Sequence, residues 1–266
     1  MRYLASVIMP VLNEASCIAD MVASVPVEAF SAKGIDTEIL VVDNGSVDGS
    51  GELARNAGAR VISEPRRGYG YAYLLGFKEA KGDIICTLDA DGTYPVDVLP
   101  ELTSTLLEDN LDFINTNRLP YMHNGVMSRT NRVGNTILTV ANRALFGLPF
   151  HDSQSGMWVF RAELLKRMQL QAVGMALSQE IKIEAACRLK ANCIEVPIYY
   201  GYRSGESKLR IWRDGISNFV YLFRRRFIPP VRGEASSSIS DHAREDRCEV
   251  EASVSDQAHE DRCSFG

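Results

Sequence analysis

Short runs of apolar and β-branched residues alternate with segments of helical periodicity in the first half of the chain. The apolar runs cover residues 6–9, 38–42, 60–62, 84–88 and 112–115, and the helical segments cover 14–24, 49–57, 71–80 and 96–107. Apolar runs of this length are typical of parallel strands that are buried on both faces. Alternating strands and helices favour one sheet with helices packed on both sides. We therefore predict an α/β fold.

The chain beyond these segments continues with fewer and longer elements. Apolar spacing predicts an amphipathic helix over residues 130–146 and a second helix over 178–190. A Ser- and Gly-rich loop at 152–161 enters a strand, and 193–200 is the last predicted strand. With 45% apolar and 24% charged residues, the composition is that of a soluble globular protein. No apolar stretch has the length of a membrane-spanning helix, so we predict no such helix.

Two carboxylates separated by one small residue follow the strand predicted at 84–88. Asp89 and Asp91 would stand at the carboxyl edge of the sheet, where open α/β sheets bind their ligands. Carboxylates this close repel each other unless a cation lies between them. Oxygen ligands favour Mg²⁺ or Mn²⁺, whose usual partner is a substrate phosphate. Taken alone, the pattern also fits a surface turn that caps a helix.

Further motifs fall at the same predicted edge. Pro10 and Asp43 end two other predicted strands, and Gly68 and Gly70 begin a helix after two arginines. The glycine-rich turn lacks the third glycine of a dinucleotide fingerprint and does not follow the first strand, which excludes that kind of site. The edge therefore combines a carboxylate pair, a proline-bounded turn and a glycine-rich turn.

Six motifs in this order identify a family resemblance. They are PVLNE at 10–14, VVDNGSVDGS at 41–50, RRGYGYAYLLGF at 66–77, DADGTYP at 89–95, DSQSGMWVF at 152–160 and YRSGESKL at 202–209. The chain resembles family 2 glycosyltransferases of the GT-A fold over residues 4–228. Within that family it is similar to the polyprenyl-phosphate (dolichyl-phosphate) mannose and glucose synthases.

The resemblance implies a mixed, mostly parallel GT-A sheet and a Mg²⁺ or Mn²⁺ cofactor. The implied reaction is inverting transfer of a hexose from a nucleotide sugar to polyprenyl phosphate. GDP-mannose is the favoured donor, and UDP-glucose or a UDP-N-acetylhexosamine is the alternative. Two positions depart from the family pattern: Leu12 stands where an aromatic residue is common, and Thr93 stands where some relatives have a metal-ligating Gln.

The resemblance also assigns roles to individual residues. The implied metal ligands are Asp89 and Asp91. The implied donor-binding residues are Pro10, Leu12, Glu14, Asp43, Asp89, Ala90, Asp91, Arg203 and Lys208. The candidate acceptor-binding residues are Arg118, Arg132, Gln154, Ser155 and Glu180, and the candidate catalytic residues are Asp91, Asp152, Arg118 and Lys208.

Two of these assignments have a physical reason and an alternative. Clustered cations would let an anionic acceptor approach a diphosphate, although Arg and Lys at such positions are also typical of a solvated surface. Asp152 would position a phosphate acceptor, which is ionised near neutral pH, whereas a hydroxyl acceptor would require Asp152 as a base. Glu180 fits an exposed helix surface nearly as well as a binding site.

The segment 209–232 has the pattern of a helix that lies on a membrane. Trp212, Ile216, Phe219, Phe223 and Phe227 fall at helical spacing, and residues 203–232 carry eight basic and two acidic residues. Basic amphipathic helices with aromatic residues bind membrane interfaces peripherally. We therefore predict a cytoplasmic protein that is peripherally associated with the membrane. The alternative is a C-terminal helix packed on the core with a polar face.

The chain divides into three predicted parts: a GT-A domain at 1–208, the interface helix at 209–232 and an acidic tail at 233–266. The tail holds nine acidic and three basic residues and repeats SDHAREDRC as SDQAHEDRC, which predicts disorder. The near-neutral body disfavours nucleic-acid binding. Two other functions stay open, namely a soluble glycosyltransferase with a small hydroxyl acceptor and a catalytically silent regulator that binds a sugar nucleotide.

Overall fold

The computed structural model describes residues 2–122, 125–203 and 211–228. These residues contain a seven-stranded sheet with the strand order β3-β2-β1-β4-β6-β5-β7. The strands are β1 (Tyr3–Val11), β2 (Ile35–Asp43), β3 (Arg60–Ser63), β4 (Ile84–Thr87), β5 (Phe113–Met122), β6 (Trp158–Arg161) and β7 (Cys193–Tyr200). The paired neighbours are parallel except at β6, which runs antiparallel to both β4 and β5. The predicted mixed, mostly parallel sheet is confirmed.

The described part of the chain also contains eight α-helices. They are α1 (Ile18–Ala23), α2 (Val27–Ala32), α3 (Ser50–Asn56), α4 (Tyr69–Glu79), α5 (Leu99–Glu108), α6 (Arg129–Phe146), α7 (Leu177–Lys182) and α8 (Ile211–Phe227). A 3₁₀ turn, Ala162–Lys166, follows β6, and a π-helical segment, Ile183–Arg188, continues α7.

The sheet separates two hydrophobic cores. Successive residues of a strand point to opposite faces, so Val7 packs in one core and Ile8 in the other. The first core contains residues of α1, α2, α3 and α5, and the second contains residues of α4 and α7. Both faces are therefore covered, as the apolar runs predict.

Three helical regions differ from the sequence prediction. The first helix begins at Ile18 instead of residue 14, because residues 12–17 form a turn in which Asn13 has a left-handed backbone (φ 52°). Helix α2 was not predicted. The helix predicted at 178–190 is divided, since its second half is π-helical.

Strand register brings the motifs of the first hundred residues together. Val11 of β1 pairs with Asp43 of β2, and Ile8 of β1 pairs with Thr87 of β4. All three strands are parallel, so the segments that follow them leave the sheet at the same edge. This register positions the turn after β1 beside Asp89 and Asp91.

The C-terminal helix belongs to the same compact unit as the sheet, which spans Met1–Phe227. Leu222 of α8 packs with Leu138 of α6 and with Ile183 in a small third core. A C-terminal helix is thus present where one was predicted, and the acidic tail predicted at 233–266 lies outside the described residues. Among the helices that the structure describes, none combines the length and the apolar character needed to cross a membrane.

We predict that Gly76→Ala destabilises the protein although alanine is the better helix former. A Cβ at Gly76 of α4 would lie 2.7 Å from Ile8 Cγ2 and 3.2 Å from Val42 Cγ2, both in the second core. We expect a loss of about 1–3 kcal/mol in the free energy of unfolding, measured by urea denaturation.

The matched control is Gly134→Ala in α6, where an added Cβ meets no atom within 4 Å. This variant should gain up to about 1 kcal/mol from helix propensity. Equal stabilisation by both substitutions would contradict the close packing of α4 on β1 and β2.

Candidate active site

A cleft of about 260 Å³ opens at the carboxyl edge of β1 and β4. Its lining includes seven of the residues predicted to bind a donor, namely Pro10, Leu12, Glu14, Asp89, Ala90, Asp91 and Arg203. It also includes six residues without a predicted role, namely Val11, Asn44, Gly68, Tyr69, Ala72 and Met175. The structure therefore gathers the strand-end motifs around one cavity.

Asp91 is held by the turn that follows it and by Arg203, which is distant in the sequence but adjacent in space. Its Oδ1 accepts hydrogen bonds from the backbone N–H of Thr93 at 3.0 Å and from Thr93 Oγ1 at 2.6 Å. Its Oδ2 forms an ion pair with Arg203, which lies beyond β7. Thr93, at the position of the family's Gln, therefore orients the carboxylate, and Arg203 compensates its charge.

Asp89 lies in an environment that disfavours its negative charge. Burial raises its pKa, the nearby charge of Asp91 raises it further, and Arg118 and Arg203 oppose the effect. A divalent cation between the two carboxylates would relieve the repulsion, so these residues fit a Mg²⁺ or Mn²⁺ site. Within the described residues, no group of three or more His, Cys, Asp or Glu side chains could hold a metal. Such a cation would therefore depend on oxygen ligands from a substrate or water.

Asp152 and Arg118 form a buried, bidentate ion pair. Arg118 Nε and Nη2 donate to the carboxylate at 2.7 and 2.9 Å, and the Arg118 backbone N–H donates at 3.1 Å. Asp152 is 1% exposed. Burial opposes its ionisation, but the charge and hydrogen bonds of Arg118 outweigh burial and hold its pKa below the usual value. Asp152 thus has the contacts of a positioning group, and its role stays a prediction.

Sequence reasoning missed Lys182, which is fully buried beneath the loop at 152–156. Its Nζ donates to the carbonyls of Ser153 and Ser155 at 2.8 and 2.7 Å and to Ser178 Oγ at 3.1 Å. It also lies 5.2 Å from the centre of the Trp158 ring. These three oxygen atoms surround the Lys182 amine, so Lys182 connects the loop to α7.

The other predicted residues lie in different places. Asp43 accepts a hydrogen bond from the backbone N–H of Ser46, and Arg132 is exposed on α6. Ser155 is fully buried and bonds Thr116 Oγ1 at 2.7 Å, and the Gln154 amide donates to Ser153 Oγ at 2.7 Å. None of these four lines the cleft.

The alternative in which Glu180 lies on an exposed helix surface is wrong. It is fully buried, and its Oε2 accepts hydrogen bonds from the backbone N–H groups of Gln171 and Ala172. It does not line the cleft. The acceptor-binding role stays a prediction, and Lys208 lies outside the described residues.

We predict that Lys182 makes stability depend on pH. Burial lowers its pKa from 10.5 to about 7. Between these values the unfolded chain binds the proton and the folded chain does not, so the contribution of Lys182 to stability rises with pH. Below pH 7 both states are protonated and the contribution is constant. The unfolding free energy of the wild type, relative to that of Lys182→Met, should therefore increase with pH by up to about 1.4 kcal/mol per pH unit.

Urea denaturation of both proteins between about pH 7 and about pH 9 measures this shift, because the other titrating groups cancel in the difference. A difference that is independent of pH would contradict the lowered pKa and would indicate that the three oxygen acceptors keep Lys182 protonated in the folded chain.

Comparison with known proteins identifies the family. Residues 6–169 match the family described as glycosyl transferase family 2. A dolichyl-phosphate hexose transferase of Haloferax volcanii is 34% identical over 210 residues, which cover 79% of this chain and 88% of that protein. The dolichol-phosphate mannosyltransferase of Pyrococcus furiosus is 28% identical over 228 residues, covering 82% of this chain and 61% of that protein.

A third relative is much longer than this chain. The low-salt glycan biosynthesis hexosyltransferase Agl6 of Haloferax volcanii is 34% identical over 212 residues, covering 79% of this chain. The match covers 51% of that protein, so the chain spans about half of its length.

A solved structure supports the predicted fold class. Glucosyl-3-phosphoglycerate synthase of Mycobacterium tuberculosis, in complex with Mn²⁺, UDP and glucosyl-3-phosphoglycerate, superimposes with a TM-score of 0.68. The identity is 24%, and the match covers 86% of this chain and 81% of the other. At that identity the likeness concerns the fold. Together with the family match over residues 6–169, these findings confirm the resemblance: the chain belongs to glycosyl transferase family 2 and is a glycosyltransferase.

Proposed function

We propose that the protein transfers a hexose, with inversion, from a nucleotide diphosphate sugar to a polyprenyl phosphate, assisted by Mg²⁺ or Mn²⁺. The observation that carries this proposal is the cleft in which the Asp89–Asp91 pair meets Arg203. A carboxylate pair and a cation in one cavity suit a diphosphate bound through a metal. The dolichyl-phosphate hexose transferase and the dolichol-phosphate mannosyltransferase among the relatives support a lipid phosphate as the acceptor.

The metal would be held by the carboxylates of Asp89 and Asp91. When bound, it would supply a positive charge that stabilises the departing nucleoside diphosphate, a contribution of several kcal/mol. Thr93 holds the Asp91 carboxylate in its orientation, and Arg203 forms an ion pair with that carboxylate. These groups would bind the donor and neutralise its leaving group.

The acceptor would need little help from a base. A phosphate monoester is already ionised near neutral pH, so its oxygen can attack the sugar without losing a proton. This agrees with Asp152, whose two carboxylate oxygens are engaged by Arg118. In the proposed reaction, the ion pair between Asp152 and Arg118 fixes the loop at 152–156 opposite Asp89. Mannose from GDP-mannose is the first candidate donor, and a UDP-sugar is the second.

The outer surface of α6 and α8 supports a membrane location. Apolar side chains on both helices are exposed, and we call them the α6–α8 face: Val133, Ile137, Val140, Ile216, Phe219, Val220, Phe223 and Phe227. A groove of about 650 Å³ lies between the helices and is lined mostly by apolar residues. Arg224 and Arg226 are exposed on α8. We propose that this face lies on the cytoplasmic leaflet and that the groove receives part of the polyprenyl chain.

The reaction is tested with radiolabelled GDP-mannose, UDP-glucose and UDP-N-acetylglucosamine, polyprenyl phosphate and Mg²⁺ or Mn²⁺. We expect one donor to label the lipid phase. Asp91→Ala should reduce the rate at least about 100-fold, because the diphosphate charge loses its stabilisation. Asp97→Ala is the matched control, since Asp97 is an exposed carboxylate six residues further on that does not line the cleft.

The remaining outcomes separate the other functions. Label in a small hydroxyl acceptor instead of the lipid would indicate a soluble glycosyltransferase. Nucleotide-sugar binding without transfer would indicate a silent regulator. Full metal-dependent transfer by Asp91→Ala would overturn the metal assignment.

The membrane location predicts binding to anionic liposomes. The double variant Phe219→Ser/Phe223→Ser should lower the partition coefficient more than tenfold in a sedimentation assay, since each buried Phe contributes about 1.5–3 kcal/mol. Leu53→Ser is the control, because Leu53 on α3 is 38% exposed, as is Phe219, but lies outside the α6–α8 face. Unchanged sedimentation of the double variant would contradict the proposed membrane surface.

A further inference from the structure

A cluster of buried charges joins α8 to α7. The side chain of Arg225 on α8 is 8% exposed and lies between two carboxylates that are fully buried, Glu180 and Glu184. Arg225 Nη2 bonds Glu184 Oε1 at 2.5 Å, and Nη1 lies 3.9 Å from Glu180 Oε1. Glu184 also pairs with Arg188. The neighbouring Arg224 and Arg226 are exposed, so α8 buries one of its three consecutive arginines.

Both carboxylates also hold the backbone of the segment at 168–176, which we call the wall loop. Glu184 Oε2 accepts from the Gln169 N–H at 2.6 Å. Glu180 Oε2 accepts from the N–H groups of Gln171 and Ala172 at 2.9 and 2.8 Å. Arg225 itself donates to the Gln169 carbonyl at 3.4 Å. The cluster therefore fixes the wall loop through charge-assisted hydrogen bonds.

The wall loop in turn forms part of the cleft. The Val173 carbonyl accepts from the Tyr71 N–H at 3.2 Å, at the start of α4. A Cβ at Gly70 would lie 2.3 Å from the Ala172 carbonyl oxygen, so the close approach of loop and helix requires glycine there. Met175 of the loop lines the cleft together with Tyr69 of α4. A displacement of the loop would thus change the cavity.

Arg225 is needed to balance the charge in this cluster. Arg188 pairs with Glu184, whereas Glu180 Oε1 has Arg225 as its cationic neighbour. Loss of Arg225 would leave buried carboxylate charge with less compensation, which is costly in a protein interior. The carboxylates would then reorient towards water and release the amides of the wall loop.

We infer that Arg225 is a positioning residue for the cleft: through Glu180 and Glu184 it holds the wall loop against α4 and so shapes the nucleotide-binding cavity. Arg225 does not line the cleft and acts through the loop. The nature of the ligand rests on the proposed function, but the contact between α8 and the loop does not.

The test compares Arg225→Met with Arg224→Met, which removes the same charge from an exposed position of the same helix. Hydrogen exchange is measured at the amides of Gln169, Gln171 and Ala172. We expect Arg225→Met to accelerate their exchange at least about tenfold and Arg224→Met to leave it unchanged. Arg225→Lys, which keeps the charge, should restore slow exchange in part.

Binding of UDP and of GDP with Mn²⁺ is then measured by calorimetry, at a temperature where near-ultraviolet circular dichroism shows every variant to be folded. Arg225→Met should raise the Kd of the nucleotide that the wild type binds about tenfold, which corresponds to about 1.4 kcal/mol. Arg224→Met should match the wild type.

The outcomes distinguish the two proposals. Unchanged amide exchange in Arg225→Met overturns the inference. Faster exchange with an unchanged Kd and a lower Tm also overturns it, because Arg225 would then stabilise the fold without shaping the cavity. Failure of the wild type to bind either nucleotide counts against the proposed function, while the exchange data still decide whether Arg225 holds the loop. If Arg225→Met does not fold, Arg225→Lys and Glu184→Gln are measured in its place, and unchanged exchange in both overturns the inference.

Discussion

Several charged side chains of this protein are buried, and their partners connect distant segments of the chain. A carboxylate or an ammonium removed from water is stable in a protein when an opposite charge or several hydrogen bonds compensate it. Asp91 is paired with Arg203, Asp152 with Arg118, and Glu184 with Arg188 and Arg225. Lys182 is satisfied by three oxygen atoms. These contacts join segments that are far apart in the sequence, so the later part of the chain completes a site begun at the end of β4.

The same pairs suit the proposed chemistry. A site that receives a diphosphate and a phosphate must present cations without losing its fold when the ligands are absent. Arg203 meets Asp91 in the cleft, so its charge is already compensated before a substrate arrives. Arg118 is fixed by Asp152 and contributes its charge near Asp89 without moving. Preorganised charge of this kind stabilises a leaving group at little reorganisation cost.

The residues of the site that could be predicted are those whose position follows from the sequence immediately around them. Asp89 and Asp91 follow one strand, and Pro10 lies next to the last residue of another, so parallel register alone brings them to one edge. Lys182 and Glu180 carry no such signal. Ser178 and Lys182 are four residues apart on one helix face, a pattern that equally fits a solvated surface. The burial of Lys182 and Glu180 depends on the packing of the loop at 152–156 and of α8 onto α7. These contacts join residues that are 27 or more positions apart in the sequence. Sequence periodicity does not contain this information.

Helix α8 has a buried side, as the core-packed alternative describes, and an exposed apolar side, on which the proposed membrane location depends. Asn218, Leu222 and Arg225 are spaced so that they share one side, and their side chains are buried or nearly so. Ile216, Phe219, Phe223 and Phe227 form the opposite, exposed side. An apolar side in water carries a free-energy cost that contact with a lipid surface would remove. The buried side ends in the charge cluster that holds the wall loop. The proposed membrane contact and the proposed support of the cleft are compatible, because each would use a different face of α8.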